Sequence, residues 1–102
     1  MAATMTSSGS CISLTSVDED WMWSTAIPTG DMKIESITFV PGSAGDKISI
    51  KERSDSGPYI MLDKPATTTA ATVYLFGRSF SPVIDYSECT LNSGHAVIIR
   101  LR

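Results

Sequence analysis

Apolar and polar residues alternate with a period of two over short stretches along most of the chain, the mark of strands that bury one face. Ile12 and Leu14 alternate with Cys11, Ser13 and Thr15, which predicts a strand over 10–16. Lys33 to Val40 sets Ile37 and Phe39 on one side and Ser36 and Thr38 on the other. Ile34 falls out of that phase, through a bulge near Glu35 or because both faces are partly covered. Ile48 and Ile50, alternating with Lys47, Ser49 and Lys51, form the cleanest amphipathic strand. Tyr59 to Leu62 follows, with Pro58 placed where no ladder donor is needed. Thr72 to Phe76, Phe80 to Ile84, Ser87 to Leu91 and His95 to Leu101 complete the set.

Turn chemistry separates these stretches. Pro41-Gly42-Ser43-Ala44-Gly45-Asp46, Ser54-Asp55-Ser56-Gly57-Pro58 and Asn92-Ser93-Gly94 are glycine-bearing turns, and Met32 to Leu62 reads as a hairpin with a third strand attached. Lys64 to Thr72, with Pro65 and three successive threonines, reads as a linker or edge loop. No segment shows a convincing helical period. The expected fold is therefore all-β, a single β-sandwich, jelly-roll-like or immunoglobulin-like, of about seven to nine short antiparallel strands.

A length of 102 residues limits the chain to one core. The division expected is an N-terminal arm, residues 1–10, followed by the sandwich domain, residues 11–102. Met1 to Ser10 is small, polar and uncharged, and suits an arm ordered by a partner. Eight Lys and Arg against eleven Asp and Glu give a net charge of −3, which argues against a nucleic-acid partner. Neither a basic-then-apolar leader nor a run of about 18 apolar residues is present, so no membrane partner is expected. Cys11 and Cys89 are read as free and buried in a reducing compartment, with a bridge between them the alternative.

The residues that most resemble catalytic or cofactor signatures are each better explained structurally. His95 is the sole histidine; it rules out a two-histidine metal site and is better read as a structural strand-start residue than as a general base. Gly42 to Lys47 looks like a phosphate loop but has the wrong glycine spacing, Ile48 where Ser or Thr is required, and strands on both sides. Asp18-Glu19-Asp20 lacks the spaced ligands of a calcium loop and reads as a solvated acidic turn or a rim element of an interface. No catalytic, cofactor or metal residue is assigned, and the chain is expected to be non-enzymatic. Trp21 and Trp23 remain: core fillers, aromatic anchors for a protein partner, or a sugar-stacking platform with Tyr59 or Tyr86.

The string Ile34-Glu35-Ser36-Ile37-Thr38-Phe39-Val40-Pro41, with Gly45 to Ile50, Cys89-Thr90-Leu91 and Val97 to Leu101, resembles small β-sandwich structural proteins of tailed-bacteriophage virions. That resemblance covers residues 32–101 and lies in strand and turn patterning. It implies a capsid decoration (cement) protein that bridges capsid subunits, with a tail or head-to-tail component as the nearer variant and a carbohydrate-binding module as the rival. The implied partners are a major capsid protein or another virion protein and further copies of the chain, a trimer being one option; the implied location is the virion. Met1, Ala2, Ala3, Thr4, Met5 and Thr6 of the arm, with Trp21 and Trp23, are the residues expected to touch partners.

Overall fold

The computed structural model describes residues 4–22 and 32–102. Nine strands run in chain order as β1 (Thr4–Ser8), β2 (Cys11–Thr15), β3 (Trp21–Met22), β4 (Met32–Val40), β5 (Ile48–Glu52), β6 (Tyr59–Asp63), β7 (Ala71–Phe80), β8 (Pro82–Ile84) and β9 (Ala96–Leu101). They form two antiparallel sheets, a five-stranded one in the order β1-β2-β9-β4-β7 and a four-stranded one in the order β3-β8-β5-β6. The molecule is a single β-sandwich.

The core lies between the sheets because each strand's period-two apolar set points inward. From the larger sheet come Ile12 and Leu14 of β2, Val97 and Ile99 of β9, Ile34, Ile37 and Phe39 of β4, and Leu75 of β7. The smaller sheet answers with Trp21, Ile84, Ile48, Ile50 and Met61.

The phase slip at Ile34 is a bulge. Ile34 pairs with Leu101 and Ser36 with Arg100, so Glu35 is an extra residue against β9, and Ile34, Ile37 and Phe39 all reach the core. Across β7 the same position faces a larger irregularity, since Ile34 pairs with Arg78 and Ser36 with Tyr74. Phe76 and Gly77 take up that slack with positive φ values of 56° and 76°.

Two expectations need correcting. Gly42 to Asp46 does not close a hairpin: β4 and β5 lie in different sheets, and this segment carries the chain from one layer to the other. Both strands turn apolar faces to the same core, from opposite sides of it. The true hairpin is β5–β6, with a register shift opposite Ile50 and Lys51. Ser87 to Leu91 is likewise no strand. Tyr86–Glu88 is one 3-10 turn, and only Thr90 makes a bridge, to Lys47.

At the N-terminus, Thr4–Ser8 forms the edge strand of the larger sheet. It folds back on β2 through Gly9 and Ser10, with Ser8 opposite Cys11 and Thr4 opposite Thr15. Gly9 has φ +59°, in the left-handed region that a tight turn of this kind uses. Met5 packs against the core cluster. No helix among the described residues is long and apolar enough to cross a membrane.

Candidate functional site

The densest polar chemistry lies on the outer face of the four-stranded sheet. Alternation along β5 sends Ile48 and Ile50 into the core and Ser49 and Lys51 outward, where the Asp85–Cys89 segment covers them. The Lys51 ammonium donates to Asp85 Oδ2 at 2.9 Å, Glu88 Oε2 at 3.0 Å and the Asp55 carbonyl at 2.8 Å. Its charge also sits 5.0 Å from the centre of the Tyr59 ring, within cation–π range.

The acceptors are themselves held. Ser87 Oγ donates to Asp85 Oδ1 at 2.7 Å, and Glu88 Oε1 accepts from Tyr59 Oη at 2.7 Å and from Ser49 Oγ at 3.2 Å. Hydrogen bonds to Asp85 first and Glu88 second push the Lys51 ammonium well above its ordinary value. The bond from Lys51, then that from Ser87, holds Asp85 below the usual carboxylate range; Tyr59 and then Lys51 do the same for Glu88. The bond to Glu88 raises the Tyr59 phenol. At neutral pH the lysine is therefore a fixed cation without a free electron pair, and the phenol keeps its proton.

Carboxylate oxygens of Asp20, Asp55 and Asp85 lie within 4.8 Å of one another. Three such groups can bind a hard cation, but here Lys51 already supplies the positive charge. Asp20 Oδ1 also accepts the Tyr86 N–H at 2.8 Å, and both Asp85 oxygens are engaged. The cluster reads as an internal ion-pair network that ties the Asp85–Cys89 segment to the sheet.

A second polar knot holds the crossover between layers. Asp46 is fully buried, and its Oδ2 accepts the N–H groups of Gly42 at 2.9 Å, Ser43 at 3.3 Å and Asn92 at 3.0 Å. Its Oδ1 accepts from the Asn92 side-chain amide. Burial raises the Asp46 carboxyl, and the donors from Asn92, Gly42 and Ser43 outweigh that and hold it below its ordinary range. A Cβ on Gly42 would fall on the Asn92 and Ser93 carbonyl oxygens, so glycine is required by close approach. The turn that looks like a phosphate loop spends its N–H groups on this chain's own aspartate.

His95 is buried with both ring nitrogens committed. Nε2 accepts the Val17 N–H at 2.9 Å and Nδ1 donates to the Asn92 carbonyl at 2.7 Å, which sets the tautomer. Trp21 is 5% exposed and belongs to the core. Trp23 and Met1, Ala2 and Ala3 lie outside the described residues, whereas Thr4, Met5 and Thr6 are in β1. The structure thus places Trp21 in β3, at an edge of the four-stranded sheet, and Thr4, Met5 and Thr6 in β1, at an edge of the five-stranded one.

Both cysteines are free and partly buried. Burial pushes the Cys89 thiol up, and its sulfur lies 3.3 Å from the Ser49 nitrogen, so it behaves as a packed structural group. The Lys51 network escaped sequence reasoning because its members come from distant stretches. The available signal was an outward lysine on the cleanest strand together with acids spaced as in Asp85-Tyr86-Ser87-Glu88.

No protein-family model, curated protein or solved structure matches this chain.

Proposed function

We propose that this protein is a non-enzymatic structural component of a larger assembly, of the capsid decoration kind, with a tail or head-to-tail position in a virion as the nearer variant. One observation carries the reading: the edge strand β1 has the uncharged sequence Thr-Met-Thr-Ser-Ser and no strand partner on its outer side among the described residues. Soluble proteins usually protect such an edge with lysine, proline or a covering segment. An uncharged edge can accept a partner's strand through backbone hydrogen bonds, without side-chain pockets. The ionisable clusters are consistent with this role, since Lys51, Asp85, Glu88, Asp46 and His95 are spent on holding the sandwich together.

The test is deletion of residues 1–10. In the native source, the full chain should co-sediment with a particle while the truncated chain remains in the low-mass fraction with its β-sheet circular dichroism retained. Unchanged incorporation of the truncated chain rejects β1 as the contact, and recovery of the full chain only as a free 11.0 kDa protein rejects the assembly role.

A further inference from the structure

The fold sorts its charges. Lys33, Arg78, Arg100 and Arg102, half of the eight basic residues, are exposed and stand at one end of the five-stranded sheet. Register brings them there: Lys33 is opposite Ser79, Ile34 lies between Arg78 and Leu101, and Ser36 lies between Tyr74 and Arg100. Glu35 lies beside them, 3.9 Å from Arg102 Nη1. Four basic side chains therefore gather at this end among the described residues, although the whole chain is negative.

The same end exposes Tyr74 and Phe76, at 63% and 66% the most exposed large apolar side chains described. Phe76 has φ +56° inside the β7 bulge, and Arg102 Nη1 donates to its carbonyl at 3.1 Å. A left-handed backbone is unfavourable for phenylalanine, and here it delivers the ring to water. Among the described residues neither Tyr74 nor Phe76 packs against the core cluster. Beside the other sheet, Asp18, Glu19 and Asp20 are exposed in succession, and Asp20 converges with Asp55 and Asp85.

We propose that the Tyr74, Phe76 and arginine surface of one copy receives the acidic surface around Glu19 and Asp55 of a second copy. Opposite signs on opposite layers cannot meet within one protomer, so the contact runs head to tail and repeats into a ring or filament. Aromatic rings flanked by arginines form the anchor, and the carboxylates supply the complementary charge. This rests on the assembly reading above and names the contact between copies.

Sedimentation equilibrium on the purified full chain tests it. The wild type should exceed monomer mass in about 50 mM salt and dissociate near 0.5 M, where screening shortens the reach of charge to a few ångströms. Arg100→Glu/Arg102→Glu and Glu19→Lys/Asp55→Lys should each be monomeric. Mixed together they should associate again, because one intact pair of surfaces and one charge-reversed pair are both complementary in sign. Phe76→Gly relieves the backbone, so it should melt no lower than wild type yet associate at least about tenfold more weakly. A monomeric wild type at low salt overturns the proposal, as does binding of a single-stranded oligonucleotide that only the arginine variant loses. Oligomers unaffected by every substitution also overturn it while leaving the assembly reading intact, whereas failure of β1-dependent particle incorporation removes that reading separately.

Discussion

Asp46 shows how one side chain can hold two loops in place. Its carboxylate is out of water and satisfied by four donors from Gly42, Ser43 and Asn92. Asp46→Ala strands those donors and should cost about 3 kcal/mol, read from the shift of the urea midpoint. The carboxyls of Asp46, Asp85 and Glu88 are all lower folded than unfolded, so their stabilisation is present above the ordinary carboxylate range and lost as pH falls through the folded values. Urea midpoints should therefore drop below about pH 4, and drop less in Asp46→Asn. Lys51 carries the opposite sign: its pKa is raised, so its contribution is complete at neutral pH and fades only in alkali, above about pH 10. Lys51→Met keeps the volume but leaves Asp85 and Glu88 facing each other without a cation. Its melting temperature should fall at pH 7, and the gap to wild type should narrow at pH 3, where the carboxyls take up protons. A gap independent of pH would mean that the lysine acts through its aliphatic stem alone.

Individual strands were legible because alternation is a local property. Ile12 and Leu14, Ile48 and Ile50, and Val97 and Ile99 announced their buried faces, and Ile34 out of phase marked the bulge at Glu35. What alternation does not encode is which sheet a strand joins. Ile37 with Phe39 and Ile48 with Ile50 have the same pattern whether they sit side by side or face each other across a core, so a crossover and a hairpin look alike in the sequence. The Ser87–Leu91 pattern misled for a related reason: Cys89 and Leu91 are partly buried beside the core, but Asp85 and the Tyr86–Glu88 turn are drawn off by Lys51. The candidate site was invisible at the same step, since Lys51 meets partners that only the β5–β8 pairing brings near. The β1 element, by contrast, is loosely held, with Met5 as its contribution to the core cluster. Hydrogen exchange should show β1 amides opening well before those of β4 and β9, and Met5→Ser should accelerate β1 exchange with little change in the global urea midpoint. Equal protection of β1 and β9 in the isolated protein would instead make β1 part of the cooperative core.

At the scale of the molecule, stability depends on the last strand more than on the first. A domain of 102 residues is held by about 5–15 kcal/mol, so the loss of one central element exceeds what the rest can supply. β9 occupies the middle of the five-stranded sheet, pairing β2 on one side and β4 on the other, and it contributes Val97 and Ile99 to the core. β2 comes from the start of the chain, so the sheet closes only when its two ends meet. Pairing that is so distant in sequence slows folding, and relaxation times of milliseconds to seconds are expected in stopped-flow refolding. It also makes truncation asymmetric. Removing residues 1–10 deletes an edge strand and should leave a dispersed amide spectrum with a modestly lower melting temperature. Removing residues 96–102 strips β2 and β4 of their shared partner and exposes Ile12, Leu14, Ile37 and Phe39, and that chain should give a collapsed, undispersed spectrum. A folded protein without β9 would show that β4, β7 and the smaller sheet close a core by themselves, and the sandwich would then be a smaller folding unit with β1, β2 and β9 added to it.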